Sequence, residues 1–513
     1  MKTTNRSATS SRLKSQRVSK SNELSFDMKS ITTLLFAIFA FVSGHSQAAQ
    51  PNILLIFADD VGWGDAGCYG ATMVKTPNID RLAREGQRFT QGHASAAVCT
   101  PTRYSLITGQ YSWRNQAEGL NKGVAKGDAP LLIPTTMATA PALLKQAGYR
   151  TALIGKWHLG FGETKPDFNG ELRHGPLEVG FDEYFGIPAT NDRLPTVFVR
   201  DHRVVGLDPA DPIRYSYNAA EAKAQGLSPW AAGRNRIGWA KGGKAAWWKD
   251  TEIADTLLRE SVQFIERKKE KPFFLLYAPH NVHAPAIPGP RFAGSSGLTP
   301  RADMLQELDA CIGELLQTLD RHGLAKDTLI LYSSDNGAYV TDEKGHKPCG
   351  PLRGKKSQLW EGGHRVPFIV RWPSRIQPGV SDELVSTLDM PATICAAAGI
   401  NLPKEALPDS HNLLPALLGE QNAPKRDHLI LMSGNGDLAI RDRTLKYIPS
   451  LAAADGWYAN KKKGTATQRP GLYDLAKDPG ETQNLMPQRA ADAKRLAELL
   501  AKDQAASVTR PVQ

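Results

Sequence analysis

Four apolar runs in this chain each stop at a cluster of polar chemistry, and that pattern constrains the fold more than any other. Asn52 to Ala58 runs into Asp59-Asp60, and Tyr149 to Ile154 runs into Gly155-Lys156-Trp157-His158-Leu159-Gly160. Pro272 to Ala278 leads to Pro279-His280-Asn281-Val282-His283-Ala284-Pro285, and Thr328 to Ser334 leads to Asp335-Asn336-Gly337. Short runs that are continuous in apolar, β-branched and aromatic residues predict strands buried on both faces. Helical patterns over Asn78 to Glu85, Met137 to Ala147, Glu252 to Lys268 and Ala302 to His322 lie between them. Strands alternating with helices predict an α/β fold, a mostly parallel central sheet flanked by helices. Such sheets bind ligands beyond the carboxyl ends of their strands. One Asp-Asn-Gly is ordinary turn chemistry, but four polar strand ends predict a site.

Composition narrows the classes further. With 513 residues, 41% hydrophobic and 22% charged, the chain is neither disordered nor collagen-like nor a polytopic membrane protein. Five cysteines are too few for a disulfide scaffold. Residues 1–48 carry Lys2, Arg6, Arg12, Lys14, Arg17, Lys20 and Lys29 against Glu23 and Asp27. The apolar run Leu34 to Val42 and Ser46-Gln47-Ala48-Ala49 follow. A basic region, a short apolar stretch and a small-x-small site predict a secretory signal peptide, hence a periplasmic or secreted protein. The run is too short for a stable membrane anchor. Its removal takes the net charge from +11 to about +6, which suits an anionic substrate. No nucleic-acid motif is present, so no nucleic-acid partner is expected.

Asp59, Asp60, Asp335 and Asn336 offer only oxygen. Three carboxylates brought together repel one another unless a cation neutralises them. Oxygen ligation predicts a hard divalent ion, Ca²⁺ or Mg²⁺, and there is no H-E-x-x-H or paired C-x-x-C to favour zinc.

Val98-Cys99-Thr100-Pro101-Thr102-Arg103-Tyr104-Ser105-Leu106-Ile107-Thr108-Gly109 is the most informative stretch. Pro101 suits a first helical turn, which puts Cys99 at a helix N-terminus where anions are favoured. Arg103 returns to the same face one turn on. Taken alone, this reads as a low-pKa thiolate beside an anion-binding arginine.

The stretch also resembles the sulfatase signature C-x-P-x-R-x-x-L-x-T-G. The resemblance runs from Asn52 to about Trp372, includes G-K-W-H-L-G, and resumes at Leu472-Tyr473-Asp474-Leu475, Asp478-Pro479-Gly480-Glu481 and Asn484-Leu485. It implies an alkaline-phosphatase-like fold and a sulfuric-ester hydrolase. It further implies that a formylglycine-generating enzyme oxidises Cys99 to formylglycine (3-oxoalanine), whose hydrate is the nucleophile. By the same resemblance Asp59, Asp60, Asp335 and Asn336, with the modified Cys99, hold Ca²⁺. Arg103 and Lys156 hold the hydrate, His158 takes a proton from it, and His283 and Lys356 bind sulfate oxygens and assist the leaving group. His280 and Lys355 are the neighbours that compete for those last two roles. The sequence departs from the family at Gln110, where arginine is frequent, and at Ser357, where glycine often follows the lysine.

Residues 186–250 interrupt the strand–helix rhythm with Arg193, Arg200, His202, Arg203, Trp230, Trp239, Trp247 and Trp248. Loops this long are usually functional, so the section either grips a sulfated sugar or forms a small satellite core. From about Asp427 short alternating strands (His428 to Met432, Leu438 to Arg441, Leu445 to Ile448) and a helix, Ala490 to Lys502, predict a smaller C-terminal α+β subdomain. The expected organisation is 1–48 leader, 49–424 catalytic domain and 425–513 subdomain, with Lys461-Lys462-Lys463 a solvated loop tip. The substrate expected is a small-molecule or oligosaccharide sulfate ester, a sulfated carbohydrate. A related phosphoester hydrolase and a catalytically silent carbohydrate-binding relative are the alternatives.

Overall fold

A computed structural model describes residues 50–229, 236–268, 272–458 and 469–511. The leader segment, Trp230 and Lys461-Lys462-Lys463 lie outside the described residues. The strands in chain order are β1 Asn52–Ala58, β2 Gln87–His93, β3 Arg150–Lys156, β4 Glu183–Ile187, β5 Val199–Arg200 and β6 Arg203–Val204. Then come β7 Arg214–Ser216, β8 Ser228–Pro229, β9 Trp239–Lys241, β10 Phe273–Ala278, β11 Thr328–Ser334, β12 Phe368–Arg371 and β13 Gly379–Ser386. The last four are β14 His428–Met432, β15 Leu438–Asp442, β16 Leu445–Ile448 and β17 Gly471–Asp474.

Ten strands form the main sheet in the order β13-β2-β12-β11-β1-β10-β3-β4-β5-β6. The five central strands, β11 to β4, are parallel. β12 runs antiparallel to both its neighbours, and β5 and β6 close the far edge as a hairpin. The continuous apolar runs are explained by cover on both faces. In β1, Ile53, Leu55 and Phe57 enter one core, while Leu54, Ile56 and Ala58 enter the other. Burying both faces of every central strand leaves water access only at strand ends, where the polar residues sit.

Two boundaries differ from the sequence expectation for local reasons. The helix expected from Met137 is Ala140–Gln146, because the Thr139 hydroxyl caps it and Pro141 occupies its first turn. Strand β3 does not stop at Ile154 but continues to Lys156. Gly155, at φ 128°, permits this, since a Cβ there would lie 1.9 Å from the Ala278 carbonyl oxygen on β10. Lys156 is therefore fixed by a sheet ladder rather than by a loop.

The C-terminal strands form an antiparallel sheet, β14-β15-β16-β17. Helix Ala490–Ala505 covers it through Ala493, Leu496 and Leu500. Strands β7, β9 and β8 make a third small sheet within 186–250. Among the described residues no helix is long and apolar enough to cross a membrane.

Candidate active site

The polar ends of β11, β1, β10 and β3 are adjacent because those strands are neighbours in the sheet. Asp59, Asp60, Asp335 and Asn336 are all buried. Short backbone bonds tie the ends together: Asp335 N donates to Ala58 O at 3.1 Å, and Asp59 N donates to Asn281 O at 3.0 Å. Asp60 takes φ 62°, which turns its carboxylate back over the strand end. Its amide donates to Asp335 Oδ1 at 3.2 Å.

Three cations meet these acids. Lys156 Nζ is 2.7 Å from Asp59 Oδ2 and 3.6 Å from Asp335 Oδ2. Lys356 Nζ is 2.6 Å from Asp60 Oδ1, and Arg103 Nε donates to Asp335 Oδ2 at 3.0 Å. Burial opposes ionising all three acids, and the outcome differs with the company each keeps. For Asp59 burial wins over Lys156, with Asp335 and Asp60 adding to it, and the pKa is raised. Asp60 falls well below the carboxylate range because Lys356, His283 and Lys156 outweigh burial. Asp335 is lowered likewise, chiefly by Arg103 and Lys156.

The oxygens Asp59 Oδ1 and Asn336 Oδ1 are buried without a hydrogen-bond partner, which native interiors rarely tolerate. Asn336 donates its amide to Asp60 Oδ1 at 2.7 Å, so its own oxygen is the atom left over. Unsatisfied oxygens beside crowded carboxylates fit a hard divalent cation. Asp59, Asp60 and His283 also lie close enough for one ion to touch all three.

Cys99 opens the helix Cys99–Thr108, every residue of which is buried. Its thiol pKa is raised, because burial outweighs Lys156 and Lys356. The low-pKa thiolate that the sequence alone suggests is therefore not found: burial favours the neutral thiol. Arg103 sits on the same side of the helix, with Nη2 2.8 Å from Asp335 Oδ2 but outside hydrogen-bond geometry.

His158, held at φ 58°, places Nε2 3.0 Å from the Ala125 carbonyl oxygen. A carbonyl only accepts, so Nε2 carries the proton and Nδ1, buried and unpartnered, is bare. Burial, with Lys156 and Arg193, holds the His158 pKa well below the usual value. His283 shows the opposite arrangement. Its Nδ1 faces two acceptors, Ala284 O at 2.6 Å and Asn191 Oδ1 at 3.1 Å, while Nε2 lies 3.9 Å from Asp60 Oδ2. His280 is buried too, but neutral, its pKa lowered to about 3 by burial and then by His283. Lys355 turns away, its Nζ 4.2 Å from the Tyr458 ring centroid. Of the paired alternatives, His283 and Lys356 are the ones facing Asp60.

The structure adds residues that sequence reasoning missed. Asn191 donates from Nδ2 to His283 O at 3.3 Å and Pro285 O at 3.2 Å, which fixes its oxygen on His283 Nδ1. Asp192 stands next to it, paired with Arg193 and held below the carboxylate range despite burial by Arg193, then His283. Arg301 donates to the Asp60 carbonyl at 3.0 Å while paired with Asp65 at 2.6 Å. Arg200 and His202 pair with Glu260 and Glu178, and Trp247 and Trp248 pack against the two cores.

The family model named Sulfatase matches residues 51–400. An N-acetylgalactosamine-6-O-sulfatase of Bacteroides thetaiotaomicron is 41% identical over 511 residues, covering 92% of this chain and 99% of the relative. Arylsulfatase A of Homo sapiens is 35% identical over 460 residues, covering 88% and 86%. A solved structure from work on the metabolism of multiple glycosaminoglycans by Bacteroides thetaiotaomicron aligns with a TM-score of 0.83 at 41% identity. It covers 90% of this chain and all of the other.

Proposed function

The chain belongs to the sulfatase family, and from that premise we propose that it releases inorganic sulfate from a 6-sulfated N-acetylgalactosamine of a glycosaminoglycan fragment. The observation that carries this reading is the buried meeting of unsatisfied oxygens, three cations and a helix-initial Cys99. The sugar is read from the near full-length similarity to a sulfatase of that specificity.

Asp59, Asp60, Asp335 and Asn336, together with residue 99, are the groups that would hold Ca²⁺. When present, the ion and the hydrated formylglycine at 99 supply positive charge against the sulfate oxygens and a hydroxyl nucleophile. Arg103 and Lys156 hold residue 99 and its substrate from one side, their charges already balanced on Asp335 and Asp59. Lys356 meets sulfate from the other side. In a site closed to water such preset charges cost no reorganisation as negative charge develops. His158 accepts a proton at Nδ1, the only ring nitrogen left free, and its depressed pKa keeps that nitrogen available. His283, once protonated on both ring nitrogens, would deliver the Nε2 proton to the departing sugar oxygen while its Nδ1–H stays on Asn191 and Ala284. The thiol at 99 is a precursor, so maturation requires a formylglycine-generating enzyme. Residues 1–48, as a leader, direct the enzyme to the periplasm or beyond.

The test offers the purified protein N-acetylgalactosamine 6-sulfate, its 4-sulfate isomer and the matching 6-phosphate, with free anion measured. Mass spectrometry of the peptide bearing residue 99 accompanies it. Sulfate release favouring the 6-sulfate, with the thiol replaced by a carbonyl or its hydrate, is expected. Release of phosphate alone, or full activity with an unmodified thiol, overturns the reading.

A further inference from the structure

Two large aromatic side chains stand exposed beside this buried pit. Trp457 is 43% and Tyr458 is 47% accessible, and no other aromatic among the described residues is as exposed. They belong to the segment after β16, and that segment is clamped to the loop carrying Lys356. Leu359 N donates to Ala454 O at 2.8 Å, and both Gln358 Nε2 and Trp360 Nε1 donate to Asp455 Oδ1, at 3.1 and 2.9 Å. Ser357 is the central tie. Held at φ 78°, it accepts the Trp457 amide on its hydroxyl at 2.9 Å and the Gly434 amide on its carbonyl at 2.8 Å. A glycine at 357 would supply the backbone angle but not the hydroxyl, so the serine gives the aromatic segment a fixed height above the pit.

Gly434 extends the tie across the cleft. Its carbonyl accepts Trp457 Nε1 at 2.9 Å and also the Gly123 amide at 2.9 Å. Gly123 lies two residues before Ala125, whose carbonyl orients His158. Trp457 is thus tied both to the loop carrying Lys356 and, through Gly434, to the loop that orients His158. The pair's nearness to the pit shows in Tyr458 itself, whose phenol feels the charges of Lys356 and Asp60. Lys355, one residue from the lysine that meets Asp60, lies over the Tyr458 ring and has no carboxylate partner among the described residues.

Exposed, immobilised aromatic faces are costly to leave in water and serve well as rigid contact surface. An unpaired cation at their edge selects what binds there. We infer that Trp457 and Tyr458 form a subsite for the sugar ring adjoining the sulfated one, with Lys355 reading an anionic group, carboxylate or sulfate, on that ring. This rests on the proposed sulfatase reaction and deepens it: the enzyme is built for an acidic disaccharide unit rather than a lone sugar sulfate.

The experiment measures kcat/KM on four substrates: free N-acetylgalactosamine 6-sulfate, its disaccharide with a uronic acid, the same disaccharide with the carboxylate reduced to an alcohol, and that alcohol bearing its own sulfate. Trp457→Ala and Tyr458→Ala should each lower kcat/KM about tenfold or more on all disaccharides, equal to about 1.4 kcal/mol, and leave the monosaccharide within about twofold. Lys355→Gln should lower only the disaccharides whose second ring is charged, and the carboxylate and sulfate arms tell which anion is read. Trp457→Phe should restore most of the loss, which separates stacking from folding damage. Equal losses on the monosaccharide, or none on any disaccharide, overturn the subsite. Binding of the desulfated disaccharide, followed by quenching of tryptophan fluorescence, decides the matter independently of turnover. If no substrate releases sulfate, the proposed reaction falls, while unchanged quenching in Trp457→Ala would sink the subsite alone.

Discussion

The segment from Lys356 to His364 joins two clusters of buried charge that are built in opposite ways. At its start, Lys356 enters the pit of Asp59, Asp60, Asp335, Lys156 and Arg103. Five residues on, Glu361 enters a second cluster with Arg441 at 3.0 Å, Lys446 at 3.3 Å and the imidazoles of His93 and His364. Glu481 joins it at 2.9 Å from Lys446 Nζ. This second group is nearly closed: Glu481 Oε1, paired with Lys446 but outside hydrogen-bond geometry, is its one side-chain atom left over. His93 Nδ1 meets His364 Nδ1 at 3.1 Å, His93 Nε2 meets Arg441 at 2.8 Å, and His364 Nε2 meets the Leu359 carbonyl at 3.0 Å. Burial, the largest influence on both imidazoles, keeps them neutral, His364 with a pKa near 3. The pit, by contrast, leaves Asp59 Oδ1, Asn336 Oδ1 and His158 Nδ1 without partners. Burial and charge do not distinguish an active site from a structural latch here. The amount of unspent hydrogen-bonding capacity does, several atoms in the pit against one in the latch.

The contrast predicts that changes in the pit cost rate and changes in the latch cost stability. The largest effect is expected at His283. Replacing it by Ala removes the proton donor for the leaving oxygen, a role worth on the order of 10²–10⁴ in rate. A sugar alkoxide needs that proton more than a nitrophenolate does, so the loss should be visibly smaller on an activated aryl sulfate. His280→Ala should lower both substrates by a similar factor. A leaving-group-dependent loss at His280 in place of His283 would reverse the assignment.

In the latch, Lys446→Met leaves Glu361 and Glu481 facing each other with one cation fewer. Removing one partner of a buried ion pair destabilises by about 3–5 kcal/mol, and the urea midpoint should fall accordingly. Activity per folded molecule should stay within about threefold. Glu481→Met added to Lys446→Met should recover part of the midpoint, because the second uncompensated charge goes with it. A variant with unchanged stability and abolished turnover would place the latch inside the reaction and dissolve the distinction.

The two clusters were not equally legible in the sequence. The pit is assembled from residues next to strand ends, so an apolar run followed by Asp-Asp or Asp-Asn announces it locally. The latch draws His93, Glu361, Glu481 and the hairpin pair Arg441 and Lys446 from four distant segments. Arg441 and Lys446 each read as the polar position of a half-exposed strand, and only docking of the antiparallel sheet against the main one buries them. Asn191 was missed for the same reason: its role is set by where His283 arrives, 92 residues later. The order of Lys355 and Lys356 could not be read from adjacent lysines, since it depends on the left-handed turn at Ser357. The central strands, in turn, were readable because burial on both faces leaves no polar position in the run.

A third buried acid sharpens the comparison with the smallest expected effect. Glu307 is 2% exposed, accepts from Asn281 Nδ2 at 2.8 Å and from Gly289 N at 2.9 Å, and has no ion-paired cation among the described residues. Glu361 is neutralised by fixed cations and the pit acids suit an ion, which leaves Glu307 to be neutralised by a proton. Burial raises its pKa to about 7, against the pull of those two hydrogen bonds. In the unfolded chain the same group titrates near 4.5. The folded protein therefore holds a proton between those values that the unfolded chain has lost. Stability from this group is complete below pH ~4.5 and is lost as pH rises towards ~7, on the order of 3 kcal/mol in all. Glu307→Gln cannot titrate, so it removes the slope whatever constant offset its altered hydrogen bonding adds. Urea unfolding at pH 5 and pH 7.5 should show wild type losing more stability across the interval than the variant. Identical losses in both would mean that Glu307 stays ionised on its two donors, and that burial without a cation need not end in protonation.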